Sequence, residues 1–282
     1  MAGLGLAHVT ADARVDTSWT SRLSTKRQVF ELTRAGGRLF TTDGYRVFAV
    51  SEQTGRQLWS SARIHHSTQI GVLAMAATAT KVFVGGYLTD VGSERRNALA
   101  ALDARTGRLL PWHHPAIGNY RGSSAVVSTV AVGAGRLYFG GGFIRLGGAR
   151  RLGGVAAVTI RDGKATPFAP YAWNLTSLHA AGRLVLIGGP EGGGVFDGST
   201  GKLVSKRTPL DRASAIAVQG TTAYIGGDFR TTNGRDNLLA IDLRTGKLRK
   251  WFPRLANEVA VGSLAPSGEK LLVGGQFCAS LG

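Results

Sequence analysis

The sequence predicts an all-β fold, a β-propeller built from four-stranded blades, and three observations lead to this prediction. Short apolar segments that end in a glycine pair recur along the chain, and the pairs begin at positions 85, 140, 188, 226 and 274. A second motif, Asp-x-x-Thr-Gly followed by Trp, occurs as ALDARTGRLLPW at 101–112 and as AIDLRTGKLRKW at 240–251. A four-stranded unit that repeats about every 40–50 residues has the period of a propeller blade.

Each repeat is predicted to contain four short strands separated by turns. A first apolar stretch and a turn precede the strand that ends in Gly-Gly, as in VLAMAATAT followed by KVFVGGYL at 81–88. A third apolar stretch leads to a Thr-Gly or Asp-Gly turn, and a fourth segment usually ends near an aromatic residue. These segments are too short for helical repeats, which need a 3.6-residue apolar period over about 10–15 residues. The 41 glycines, against eight prolines, indicate many tight turns.

The repeated turn residues and the aromatic residue that follows predict packing rather than chemistry. Gly107 and Gly246 supply the positive φ that the turn between the third and fourth strands requires. Asp103 and Asp242 lie just upstream, where we expect them to accept backbone N–H bonds across the turn. A fourth-strand tryptophan would cover the gap between neighbouring blades and bury apolar surface worth ~2–3 kcal/mol. The fourth-strand tryptophans are Trp19, Trp59, Trp112 and Trp251.

The two ends of the chain complement each other. The C-terminal stretch VGGQFCASLG follows the pattern of the first two strands of a blade, and segment 1–24 follows that of the third and fourth. Pairing them would complete one blade and remove an open sheet edge. We therefore predict a single domain over 1–282 with six blades; the alternative is a fragment of a longer array. The predicted blades are approximately 29–60, 70–115, 127–172, 175–210, 213–255 and a composite of 261–282 with 1–24.

Composition argues against several classes of function. The net charge is +17, but the 34 basic residues are scattered along the chain, and no aromatic-basic signature of a nucleic-acid-binding module is present. The longest apolar runs are far shorter than the ~20 residues of a membrane helix. The N-terminal stretch MAGLGLAHVTADARVD has no charged start followed by an apolar block, so no signal peptide is visible. The single cysteine, Cys278, excludes an internal disulfide and a cysteine-cluster metal site.

The repeats also resemble a known family. Two stretches are similar to the delta-60-type propeller repeats of bacterial secreted and cell-surface proteins: VGGYLTDVGSERRNALAALDARTGRLLPW and IGGDFRTTNGRDNLLAIDLRTGKLRKW. A third stretch, AVSEQTGRQLW at 49–59, is similar to the tryptophan-docking repeat of the pyrroloquinoline-quinone (PQQ)-like propellers. The resemblance covers essentially the whole chain. It implies a propeller fold and an extracellular or cell-surface location, and it does not specify an activity.

The quinoprotein enzymes among these relatives have eight blades, a calcium site and a vicinal disulfide near the quinone, as the resemblance implies. The present chain has at most six predicted blades and one cysteine. We therefore expect it to bind no PQQ and no other cofactor.

One face of the predicted propeller is a candidate binding surface. The loops between strands two and three lie on the same face as the connections between blades, and both sets are rich in Arg, His and aromatic residues. This composition suits anionic ligands such as acidic glycans, carboxylates or phosphates. Alternatively, these side chains stack on neighbouring blades and pair locally. The candidate ligand-binding residues are Arg95, Arg96, His113, His114, Arg121, Arg150, Arg151, Trp173, Arg230 and Arg235.

No motif in the sequence selects a catalytic or metal site. In the pairs His65–His66 and His113–His114, adjacent side chains on a strand would point to opposite sides, so each pair would offer a single ligand to a shared metal. No G-x-S-x-G elbow is present. Nothing in the sequence singles out a glycosidase pair among the carboxylates near the loop face. Those carboxylates are Asp90, Asp228 and Asp236.

Taken together, these patterns predict a monomeric, non-enzymatic propeller scaffold at the cell surface or outside the cell. Its partner would be an unknown protein or an anionic, glycan-like ligand. The alternative is an enzyme of the propeller class, either a quinoprotein-like dehydrogenase or a glycan hydrolase or lyase, with its site in the central funnel.

Overall fold

The computed structural model describes residues 6–9, 14–21, 23–66, 71–119, 125–151, 153–172, 174–189, 193–205, 212–229, 237–251, 253 and 260–276. The chain divides into two compact units, Met1–Val130 and Ala131–Gly282. Within the described residues every helix or strand element is a β-strand. The predicted all-β class is confirmed.

Unit 1 begins with a hairpin and continues with a four-stranded antiparallel sheet. The hairpin consists of β1 (Ala7–Val9) and β2 (Val15–Thr20). The sheet is a meander in which each strand pairs with the next along the chain. Its strands are β3 (Phe30–Ala35), β4 (Arg38–Thr42), β5 (Val47–Ser51) and β6 (Gln57–Ser60).

The second repeat of unit 1 forms a main sheet of three strands and a smaller sheet built from its loops. The main sheet contains β8 (Val72–Ala77), β9 (Lys81–Gly86) and β12 (Leu99–Asp103). The small sheet contains β7 (Ile64–His65), β10 (Asp90–Val91) and β11 (Glu94–Arg95). The strand β13 (Ile117–Gly118) follows. The predicted fourth strand is reduced to a single bridge between Leu102 and Leu109.

Unit 2 repeats the same pattern, and the boundary between the units falls within β14. Its first repeat contains β14 (Thr129–Gly133), β15 (Arg136–Gly140) and β18 (Val155–Thr159), with a loop hairpin of β16 (Arg145–Leu146) and β17 (Ala149–Arg150). The second is a four-stranded meander of β19 (Ser177–Ala181), β20 (Leu184–Gly188), β21 (Gly194–Asp197) and β22 (Leu203–Ser205).

The last two sheets of unit 2 are smaller. A three-stranded sheet contains β23 (Ala213–Gln219), β24 (Thr222–Gly227) and β25 (Leu238–Asp242). A final two-stranded sheet contains β26 (Ala260–Ser267) and β27 (Lys270–Gln276). Among the described residues, β1 pairs with β2 and β26 pairs with β27. The composite blade and the count of six therefore stay predictions.

The glycine pairs have a packing reason that the sequence pattern alone does not give. The chain enters the first strand of the second repeat beside the end of β9, where Val72 pairs with Gly86. A methyl group at Gly86 would overlap the carbonyl oxygen of Gly71. The same overlap would occur between Gly227 and the carbonyl of Arg212. The second glycine of the pair thus lets the backbone entering the next strand come close.

The core consists of the apolar faces of neighbouring sheets. In unit 1, Phe40 and Trp59 of the first sheet belong to one cluster with Val82 and Leu102 of the second. In unit 2, an equivalent cluster joins Tyr138 and Phe168 to residues of the following sheet, among them Val185. Burial between successive sheets, rather than within one sheet, stabilises the repeats.

Candidate functional site

The Asp-x-x-Thr-Gly motif forms a tight polar turn at one end of the repeats that carry it. Asp103 Oδ1 accepts the backbone N–H groups of Arg105 (3.0 Å) and Thr106 (2.8 Å), and also the Thr106 hydroxyl (2.9 Å). That hydroxyl is the main cause of the lowered pKa of Asp103. Asp242 accepts the equivalent bonds from Arg244 and Thr245. These carboxylates hold turns together.

A tryptophan of one sheet docks on this turn in the next sheet. Trp59 Nε1 donates to the carbonyl of Ala104 (3.2 Å), and the ring lies where a side chain at Gly107 would be. Trp19 Nε1 donates to the carbonyl of Glu52 (2.8 Å) in the same way. Ala104 lies three residues before the turn glycine, and so does Glu52.

In unit 2 a tyrosine fills this role. The Tyr138 hydroxyl donates to the carbonyl of Gly198 (3.1 Å), again three residues before a turn glycine, Gly201. Its ring packs edge-on against Phe168 at 4.9 Å. The sequence pattern does not single out this residue, because Tyr138 lies on the Gly-Gly strand and not on the fourth segment. The only available signal was a tyrosine at the position that Phe40 and Phe83 occupy in the earlier repeats.

An aromatic pair of this kind joins the second strand to the fourth segment in other repeats as well. Trp112 packs on Phe83 (5.2 Å) and Trp251 on Tyr224 (5.1 Å). Trp251 differs from the other three tryptophans in being 38% exposed. The expectation that every fourth-strand tryptophan is covered is therefore wrong for Trp251 within the described residues.

In unit 1 a loop between strands two and three and a connection between repeats lie on the same face, as predicted. The small sheet pairs β7, from a connection between repeats, with β10 and β11, from a loop between strands two and three. Ile64 and Val91 pair with each other and are buried in the core. At the next position of the sheet, Asp90 pairs with His65 on one side and with Arg95 on the other. We call the connections and loops at this end of unit 1 its loop face.

The candidate arginines of the loops have two different environments. Arg95 is 87% exposed, and its Nε lies 3.4 Å from Asp90 Oδ1. Arg96 is only 8% exposed, because its guanidinium donates to the carbonyls of Arg95 (2.6 Å) and Leu110 (3.3 Å). A ligand-binding role for Arg96 is at odds with this placement, since the side chain ties the loop to the fourth segment.

The corresponding pair in unit 2 is arranged in the same way. Arg150 lies exposed on β17, and Arg151 is half-buried and donates to the carbonyl of Arg150 (3.1 Å). Of the two, only Arg150 is exposed to solvent. Four further candidates lie outside the described residues: Arg121, Trp173, Arg230 and Arg235.

The two histidines after Trp112 also differ in their exposure to solvent. His113 is exposed, whereas His114 is half-buried with Nδ1 2.8 Å from the carbonyl of Pro115 and Nε2 3.2 Å from that of Leu99. Burial lowers the pKa of His114, so the neutral ring has one N–H for the two carbonyls. His114 thus packs into the fold, and only His113 faces solvent.

A cleft of about 730 Å³ lies between the N-terminal hairpin and the first sheet of unit 1. Its walls include Trp19, Leu32 and Leu39. Its charged groups are paired with each other or with neighbours: His8 Nδ1 lies 3.0 Å from Asp16 Oδ2, and Glu52 lies 2.6 Å from Arg34. The hydroxyl of Ser18 and the ring of His8 lower the pKa of Asp16 to about 2. The walls of the cleft are therefore partly apolar, and each of its two carboxylates already has a side-chain partner.

Among the residues that the structure describes, no group of three or more His, Cys, Asp and Glu side chains is arranged to hold a metal ion. Nor do these residues contain a helix of the length and hydrophobicity needed to cross a membrane.

The comparison with protein families gives one match. The family model described as outer membrane protein assembly factor BamB matches residues 10–189, which is more than half of the chain. No curated protein matches the sequence. The PQQ-like part of the resemblance is therefore supported, and the delta-60-type part stays a prediction.

Several solved structures share the fold. The computationally designed Ika8 protein has a TM-score of 0.60 at 17% identity, over 89% of this chain and 69% of that one. BamB from Moraxella catarrhalis has a TM-score of 0.53 at 18% identity, over 93% and 72%. The extracellular domain of BT4673 from B. thetaiotaomicron has a TM-score of 0.58 at 13% identity, over 90% and 32%. At these identities the likeness shows the fold alone, a propeller of PQQ-like repeats.

Proposed function

The chain belongs to the family of the outer membrane protein assembly factor BamB, and we propose on this premise that it is a non-enzymatic propeller scaffold that binds a protein partner. The family description names a factor that assembles proteins, and one structure of similar fold is an extracellular domain. Both favour a location outside the cytoplasm, in the periplasm or at the cell surface. A rigid framework of sheets with variable loops suits such a role.

The small sheet β7–β10–β11 is the observation that carries this proposal. Its buried residues, Ile64 and Val91, fix it to the core, while His65 and Arg95 point outward. Both residues of β11 are exposed, and β11 is an edge strand, which can pair with an added strand. The sheet thus offers a partner a fixed surface with an open strand edge.

We also propose that the propeller closes as a six-bladed monomer whose last blade combines 261–282 with 1–24. Apolar side chains near both chain ends support this. Val15 and Leu32 are exposed in unit 1, and Leu272 is exposed in unit 2. A composite blade would cover such surface and pair the free edges of both terminal hairpins. The other five blades would then be 29–60, 70–115, 127–172, 175–210 and 213–255.

Site-specific photo-crosslinking in the native host tests the binding surface. We expect a photoreactive residue at His65 or Arg95 to give adducts with one and the same protein, identified by mass spectrometry. The matched control is Arg56, an exposed residue on the turn at the opposite end of the strands. Adducts that form from Arg56 and not from the loop face would contradict the proposal, as would the absence of adducts at both positions.

A further inference from the structure

We infer that the loop face of unit 1 contains an anion-binding site made by Arg27 and Arg63 around the ring of Tyr45, and that it binds carboxylates of an acidic protein segment. This site includes none of the residues singled out from the sequence. The inference deepens the proposed function and rests on it for the identity of the partner. The site itself rests on contacts within unit 1.

Two guanidinium groups lie against one aromatic ring. The Cζ atoms of Arg27 and Arg63 lie 4.7 and 4.8 Å from the centroid of the Tyr45 ring. The two arginines come from different connections, one before and one after the first four-stranded sheet. Both distances are within the range of a cation–π interaction, and they place the two Cζ atoms no more than 9.5 Å apart.

These charges lack an anionic partner. Neither Arg27 nor Arg63 makes an ion pair with any of the residues that the structure describes, and both are exposed. A guanidinium that contacts a ring through its flat face keeps its in-plane N–H donors available for a carboxylate. Two like charges beside one ring repel each other, and a bound anion would relieve that repulsion.

A buried carboxylate positions both the tyrosine and one of the arginines. Asp43 is 7% exposed and accepts the backbone N–H groups of Tyr45 (2.9 Å) and Arg46 (2.8 Å) together with the Thr25 hydroxyl (2.8 Å). The Thr25 oxygen accepts the backbone N–H of Arg27 (3.1 Å) in turn. The segment before the sheet is therefore fixed to the loop that carries the ring.

Backbone bonds on both sides position the second arginine. The carbonyl of Arg63 accepts the N–H of Gly92 (2.7 Å), and the N–H of Ile64 donates to the carbonyl of Tyr45 (2.7 Å). Arg46 is close in sequence to the ring but is engaged elsewhere, since its Nη1 donates to the carbonyl of Ser61 (2.7 Å). The site is preorganised, which lowers the cost of ligand binding.

The arrangement favours a chain of carboxylates over a single phosphate. Planar guanidinium groups bind carboxylates and phosphates alike in a bidentate manner, so the choice between them depends on how far the positive charge extends. Lys26 is exposed next to Arg27, so the positive charge extends beyond the ring. An extended acidic segment would meet several of these charges at once, whereas a compact ion would meet two.

Calorimetric titration with hexaglutamate at low salt tests the site on the full chain. We expect saturable binding by the wild type and at least an about tenfold weaker affinity for the double variant R27Q/R63Q. The control R56Q/R105Q removes the same charge from exposed turns at the opposite end of the same unit. Its affinity is expected to stay within about twofold of the wild type. Thermal unfolding of each variant establishes that it is folded.

Each other outcome has a distinct meaning. Equal affinities for the two double variants, or no binding by the wild type, would overturn the site and leave the crosslinking result to decide the proposed function. Inorganic phosphate binding as tightly as hexaglutamate would overturn the choice of an acidic segment. R27Q/R63Q could lose peptide binding and still give His65 adducts in unchanged yield. That result would show that the partner does not use the site. If R27Q/R63Q loses peptide binding but the wild type gives no loop-face adduct, the result would support the anion site and count against the proposed function.

Discussion

Replacing Trp59 by Ala is expected to lower the free energy of unfolding by about 3–5 kcal/mol, the range for large-to-small changes at buried aromatic residues. The Trp59 side chain is buried in the core cluster that joins the first two sheets of unit 1. The substitution removes its contact with Gly107 and leaves the carbonyl of Ala104 without the indole donor at 3.2 Å. Chemical denaturation followed by circular dichroism measures the loss.

Trp251→Ala is the matched control for this prediction. Trp251 lies in the same part of its repeat and packs on an equivalent aromatic residue, but its ring is 38% exposed. We expect a loss of about 1–2 kcal/mol, in proportion to the smaller buried area. If the two substitutions lowered the free energy of unfolding equally, docking on the following turn would not be the reason that Trp59 stabilises the protein.

Gly107→Ala is expected to lower the free energy of unfolding by about 2–4 kcal/mol, the sum of backbone strain and overpacking. Gly107 has φ of +72°, and an added methyl group would overlap the ring of Trp59. Gly135 has the same φ and no atom within 4 Å of an added methyl. Gly135→Ala therefore isolates the strain, at about 1 kcal/mol, and the difference from Gly107→Ala reports the overlap.

A double-mutant cycle separates the two contributions at Gly107 itself. In the Trp59→Ala background the ring is gone, so Gly107→Ala should destabilise no more than Gly135→Ala does. An unchanged effect of Gly107→Ala in that background would mean that the turn glycine is required for its φ alone.

Local sequence signals were sufficient for the turns and for the order of the strands. Asp103 and Gly107 interact within a few residues, and such short-range chemistry is readable from the motif. The apolar stretches and the glycine pairs likewise mark where β9 and its neighbours lie. The fourth segment after Gly107 was predicted as a full strand and is only a bridge, as is the equivalent segment after Gly246.

Interactions between repeats were harder to predict. Tyr138 takes the part of the docking tryptophan through a bond to Gly198, 60 residues away, and no local pattern encodes that pairing. The dipeptide Arg95–Arg96 does not indicate which guanidinium turns inward to the carbonyls. The pairing of Arg27 and Arg63 depends on two connections 36 residues apart meeting at one ring.

Hydrogen exchange of the full chain tests the proposed closed ring most directly. Alternate amides of β27 point away from β26 and are free to exchange unless a further strand covers them. If segment 1–24 completes this blade, those amides of Lys270–Gln276 will exchange only as slowly as the core strand β9 does. Exchange at the rate of an uncovered edge strand would contradict the closed six-bladed ring.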